Sequence, residues 1–333
     1  MATTCKECVV YIHGVTNEQE CGHEAQYKLL HSGIRKYQAE WPETFTGVEW
    51  GWHPSDAPNP VSHQLLADAE RTLGERAIEA VSKASDFTIN PLRMAVNEFR
   101  PLMINNFSDM FYYVSTQGKA AVRLATARQI VNSLTETLEE PEPLISLTLV
   151  GHSAGSVVAF DLLFYLFYAN HKAEHFIDFS QIETPKSDKV TPEAAAPVEQ
   201  TMNALEKLRA LAQHDRVRVR RLFTFGSPIT SIAFRSDAVL KILSSKAGKS
   251  NRINAGFHGL NKNPRAFGQP LKGPRWINIW DKDDLVAWPV EPLMTDTGTI
   301  VVDEYVDVSD NPLRAHTAYW DSEEVYRVIG KHW

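Results

Sequence analysis

The apolar positions of this chain follow two periods. Residues 8–12 form a short β-branched run, Cys-Val-Val-Tyr-Ile, that stops at His13-Gly14 and predicts a buried strand. Residues 22–41 then set Tyr27, Leu30, Ile34 and Tyr37 on one stripe at helical spacing. A second strand is expected at 45–52, and strand, helix, strand is the opening of a parallel α/β sheet. The alternation resumes with strands at 144–150, 217–225, 276–280 and 299–308 and a closing helix at 322–329. The alternating valines and basic residues of 216–221 predict a strand with a solvated face. No internal repeat and no linker is visible, so residues 1–333 are read as one domain.

Two excursions interrupt the alternation. Residues 54–140 are mostly helical in pattern, punctuated by Pro101, Gly118, Pro141 and Pro143. A crossover needs only about a dozen residues, so part of this stretch is expected to form a helical cap over the sheet's upper edge. Its apolar residues Leu66, Ala80, Val81, Met94, Phe99, Phe107, Phe111, Tyr112 and Tyr113 could line a pocket, although an apolar helical stripe is more often core. Residues 171–212 are the second excursion, and their middle, 183–199, reads as a loop rich in Pro, Ala and charge. Another long loop is expected at 244–273.

Composition narrows the classes of partner. A formal charge of −7, with no dense basic stripe to offset it, argues against general nucleic-acid binding. Three cysteines in 333 residues do not make a disulfide scaffold and point to a reducing, cytoplasmic compartment. Residues 1–7 show no secretory signal. The longest apolar run, 157–169, contains Asp161 and falls short of the ~20 residues that span a bilayer, so it reads as a buried helix and no transmembrane segment is expected. Oligomeric state is not legible.

The chemistry centres on Gly-His-Ser-Ala-Gly at 151–155, a Gly-x-Ser-x-Gly elbow. A serine there sits on a sharp strand-to-helix turn, and small residues two before and two after let strand and helix approach closely. The context fits, because Leu-Thr-Leu-Val enters the motif and an apolar helix leaves it. Serine needs a base to become a nucleophile. His316 follows the last expected strand in a presumed loop, and an acidic turn, Asp281-Lys-Asp-Asp284, follows the strand at 276–280. Asp284 is the preferred acid, and Asp281 and Asp283 remain candidates. The oxyanion donors expected are the amide of Ala154 and that of Val15, with Gly14 allowing the tight bend after the first strand.

At these residues the chain resembles the lipase and esterase branch of the α/β-hydrolases. Ile12-His13-Gly14-Val15 is similar to the oxyanion strand of bacterial lipases. Gly151-His-Ser-Ala-Gly-Ser-Val-Val-Ala-Phe-Asp161 is similar to the elbow and helix of intracellular phospholipase-like hydrolases. Phe223-Thr-Phe-Gly-Ser-Pro228 resembles a strand ending common in lipases, and Asp284-Leu-Val-Ala-Trp-Pro289 resembles their Asp-x-Val segment before a proline. The resemblance covers the sheet-forming segments and neither insertion. It implies an α/β-hydrolase fold, a mostly parallel central sheet flanked by helices, without the two leading strands of the full fold. It also implies a Ser153–Asp284–His316 triad acting on a carboxylic ester, a lipid ester included, with no cofactor.

Other readings stay open on the same residues. An amide, lactone or thioester would use the same machinery. A structural zinc module could draw on Cys5, Cys8, Cys21 and His23, although Cys8 enters the first strand. An inactive hydrolase fold could serve as a binding protein.

Overall fold

The computed structural model of the chain describes residues 5–14, 23–50, 116–168, 192–230, 258–294 and 300–333. Among these residues six strands form one parallel sheet: β1 (Cys5–Ile12), β2 (Thr46–Val48), β3 (Leu144–His152), β4 (Val217–Phe225), β5 (Trp276–Trp280) and β6 (Val301–Tyr305). Their order is β2-β1-β3-β4-β5-β6, and every neighbouring pair runs parallel. All nine residues of β3 are buried, as expected of a central strand covered on both faces.

Helices cover both faces. Along β1, Val9 and Tyr11 point to one side, and Val10 and Ile12 to the other. The first side is closed by α1 (Glu24–Tyr37) and the last helix, α7 (Glu323–His332), through Tyr27, Leu30, Ile34, Val325 and Ile329. The other side is closed by α2 (Thr116–Ser133), α4 (Ala154–Phe167) and α5 (Pro192–Gln213), with the short α3 (Thr135–Glu139) beside them. A sixth helix, α6 (Pro312–Ala318), precedes a 3-10 turn at Tyr319–Asp321.

The strand order reverses once. From β1 the chain steps outward to β2 and then returns to the other side of β1 as β3. The loops leaving the carboxyl ends of β1 and β3 therefore diverge and open a crevice, the usual place for a ligand in an α/β sheet. His13-Gly14 leaves β1 there, and Ser153 leaves β3.

Several expectations change. Alternation suggests a solvated face for 216–221, but helices cover both faces of the sheet and within β4 only Arg220 stays partly exposed. Arg218 and Arg221 are buried, and Arg221 donates to the carbonyls of His332 and Lys272. The part of the expected cap that is described, 116–140, includes α2, whose Val122, Ala127, Ile130 and Val131 belong to the sheet's core. That part is a flanking layer; residues 54–115, with all nine candidate pocket residues, lie outside the described residues. Of the loop expected over 183–199, residues 192–199 instead belong to α5, which Pro192 opens at a position where a missing N–H costs nothing, and 183–191 lie outside the described residues. Edge strands β2 and β6 are shorter than their apolar stretches suggested. Cys5 and Cys8 are free thiols three positions apart in β1, so they face opposite sides of the sheet and cannot share a metal; Cys21 lies outside the described residues. Among the described residues, no helix is long and apolar enough to cross a membrane.

Candidate active site

Ser153 stands between the end of β3 and the start of α4 with φ 50° and ψ −127°. This left-handed conformation is uncommon for a residue with a Cβ and marks a forced turn. The flanking glycines make it possible. A Cβ on Gly155 would lie 2.2 Å from the carbonyl oxygens of Ile12 and His13, and one on Gly151 would lie 2.7 Å from Ser156 Cα. The Ser153 amide donates to Phe225 O at 3.0 Å, and Ser156 Oγ donates to Ser153 O at 2.5 Å. The turn is thus tied to β4 and to the first turn of α4.

The structure brings Ser153, His316 and Asp284 together. His316 Nε2 is 2.8 Å from Ser153 Oγ, and His316 Nδ1 is 2.9 Å from Asp284 Oδ2. A carboxylate only accepts, so Nδ1 carries the proton and Nε2 is left to accept from the serine hydroxyl. Asp284 is buried, and it accepts further hydrogen bonds from the Val286 amide at 2.9 Å and the Tyr319 hydroxyl at 3.1 Å. Burial pushes its carboxyl pKa up, but the bonds and charge of His316, with the Val286 and Tyr319 donors, outweigh this and hold it below the usual carboxylate value. The site therefore keeps a carboxylate behind the imidazole.

The other two acidic candidates face elsewhere. Asp281 is fully buried and accepts from the amides of Asp283 (2.8 Å), Val308 (2.7 Å) and Ser309 (3.3 Å), which makes it a brace for the turn. Asp283 is part-exposed and lies 3.5 Å from Lys282. His316 itself sits in α6, not in the loop expected from sequence, because Pro312 opens a short helix there.

Of the expected oxyanion donors, Ala154 begins α4 and so carries one of the helix's four unmatched amides, while Val15 lies outside the described residues. Gly14 presses against the serine, and a Cβ on it would lie 2.5 Å from Ser153 Cβ. His13 fixes this turn from four directions. Its amide donates to Tyr27 Oη at 2.9 Å, its carbonyl accepts from the Trp50 indole at 2.7 Å, its Nε2 accepts from the Trp50 amide at 3.0 Å, and its Nδ1 donates to Gly14 O at 2.5 Å. Burial, reinforced by the charge of His23, holds the His13 imidazole well below its ordinary pKa and therefore neutral.

His13, His23 and Glu49 bring potential ligand atoms within 4.8 Å of one another. The two imidazoles are stacked 3.8 Å apart at 2°, so their lone pairs lie in parallel planes and do not converge, and the Trp50 amide already occupies His13 Nε2. The group does not suit a metal ion.

Three neighbours escaped the sequence reading. Tyr319 supports Asp284, His152 donates to the His316 carbonyl at 2.7 Å, and Gly226, at φ 60°, leaves room for His316 and Asp284. A Cβ on Gly226 would lie 3.2 Å from His316 Cε1 and 3.3 Å from Asp284 Oδ2. The available signals were the motif position of His152 and the Gly-Ser-Pro ending of β4, whereas Tyr319 carried none.

A scan against protein-family models finds no matching family, and a search of curated proteins finds no match to the chain.

Proposed function

We propose that the chain is a serine hydrolase of the α/β-hydrolase fold that cleaves carboxylic esters through an acyl group carried on Ser153. The observation that carries this reading is the continuous Ser153–His316–Asp284 chain at 2.8 and 2.9 Å, with the serine on a left-handed turn at the sheet's switch point. The single reversal of the parallel sheet supports the fold assignment, although the order among the described residues, β2-β1-β3-β4-β5-β6, is not that of the complete fold.

Ser153 Oγ attacks the acyl carbon as its proton passes to His316 Nε2. Asp284 holds the tautomer and stabilises the imidazolium. The oxyanion faces the Ala154 amide at the head of α4 and, on this reading, that of Val15. Collapse expels the alcohol, which takes the proton from His316. Water then gives a proton to His316 and attacks the acyl group. The acid leaves, and Ser153 regains its proton.

Leu285 and Trp288, 55% and 50% exposed in the segment that carries Asp284, suit a substrate with an apolar acyl chain, lipid esters included. Free Cys5 and Cys8 suit a cytoplasmic setting.

A panel of p-nitrophenyl esters of increasing acyl length, with an anilide and a thioester beside them, tests the reaction class. Wild-type protein should hydrolyse esters fastest, and Ser153→Ala should lose roughly 10⁴-fold or more in kcat. Equal turnover by both proteins would refute the proposal, and preference for the anilide or thioester would move it to an amidase or thioesterase.

A further inference from the structure

We infer that His152, the residue before the nucleophile, is a positioning residue that holds the main chain of His316 in register with the elbow. This rests on the hydrolase reading above.

His152 ends β3, and its Nε2 lies 2.7 Å from the carbonyl oxygen of His316. A carbonyl only accepts, so Nε2 carries the ring proton. His316 falls among the last four residues of α6 (Pro312–Ala318), whose carbonyls have no partner one turn further on within that helix. A buried imidazole from across the sheet thus satisfies a helix-end carbonyl.

The consequence for the triad follows from chain connectivity. His152 and Ser153 are adjacent, and together they hold both parts of His316. Ser153 Oγ meets the ring at 2.8 Å, and His152 meets the main chain at 2.7 Å. With its carbonyl held by the residue next to Ser153, the His316 side chain reaches the hydroxyl from a main chain tied to the elbow. The His152 ring has little freedom. It packs 4.9 Å from His316 and 5.2 Å from both Phe225 and Trp320, and a Cβ on Gly226 would lie 3.2 Å from its Nε2. Burial lowers its pKa to about 3, with the nearby His316 charge adding to the effect, so at neutral pH the ring stays a neutral single-proton donor.

The test uses the full chain with His152→Met and His152→Gln. The Gln amide can place an N–H where Nε2–H stands, and Met cannot. The readouts are kcat and KM on the ester the wild type hydrolyses best, together with the imidazole tautomer of His152 by ¹⁵N NMR. His152→Met should lower kcat roughly 10²-fold, the scale of a misplaced catalytic group, with KM changed less than about threefold. His152→Gln should recover to within roughly tenfold of wild type, and NMR should show a neutral Nε2–H ring at neutral pH. A His152→Met protein with wild-type kcat, a Gln variant as impaired as Met, or an Nδ1–H tautomer would each overturn the inference. Should the Met variant fail to fold, the tautomer and the Gln variant decide. Wild-type protein without esterase activity would remove the hydrolase reading itself, whereas active wild type with an indifferent Met variant would remove only the role of His152.

Discussion

Asp281 and Asp284 share one turn but face different partners, and the difference is measurable. Asp284→Asn replaces the carboxylate behind His316 with an amide, which favours the wrong imidazole tautomer, so kcat should fall about 10⁴-fold with the fold kept. Asp281→Asn should do the reverse. Its oxygens accept three backbone amides, and an NH₂ group cannot accept, so stability should drop by about 1–3 kcal/mol while kcat stays near wild type. Steady-state kinetics and denaturant melts on the two variants check both halves; the opposite pattern would exchange the roles. Sequence offered Ser153, an acidic turn and His316 in that chain order and preferred Asp284 only by resemblance, with Asp281 and Asp283 left as candidates, because turn geometry decides which carboxylate points at the imidazole. His152 had a motif position but no legible partner, and Tyr319 had no signal, because only the fold brings them to the His316 carbonyl and the Asp284 carboxylate.

Elements differ in how much of themselves they show in the sequence. Strands β3, β4 and β5 are buried on both faces, so their runs are nearly continuous and their limits were legible. Edge strand β2 stops at Val48, and Trp50 beyond it grips His13 instead of extending the strand. The arginines of β4 misled because alternation suggests a wet face, whereas both faces of the sheet are covered and only Arg220 stays partly exposed. The end of β4 carries its own prediction. Gly226 adopts φ 60° against the triad, so Gly226→Ala imposes about 1–2 kcal/mol of backbone strain. Its Cβ would also push on His316 and Asp284, and kcat should fall by more than the stability loss explains. Thermal melts with kcat in parallel check this; unchanged kcat would show that the contact is slack.

Across the whole molecule, burial sets the response to acid. His152 and His258 both have their pKa lowered to about 3 by desolvation, and His258 packs between Phe160 and Phe164 with neither ring nitrogen hydrogen-bonded. A depressed folded pKa means that the unfolded chain binds more protons below its own value of about 6.5, so stability is complete above that pH and is lost as pH falls toward 3. At pH 5.5 each of these two histidines should cost about 1.4 kcal/mol relative to pH 8, and buried His13 adds in the same direction. Urea unfolding at the two pH values measures the sum, and His258→Phe should reduce the difference by about 1.4 kcal/mol. Equal stability at both would mean that these rings are not held neutral. The central claim concerns one hydroxyl at the switch point of the sheet, and its most direct measurement is chemical. Treatment with a fluorophosphonate probe, followed by mass spectrometry, should give one adduct per chain, on Ser153, and His316→Ala should abolish it. A folded wild-type protein that hydrolyses esters without an adduct at Ser153, or with the adduct on another residue, would contradict the account.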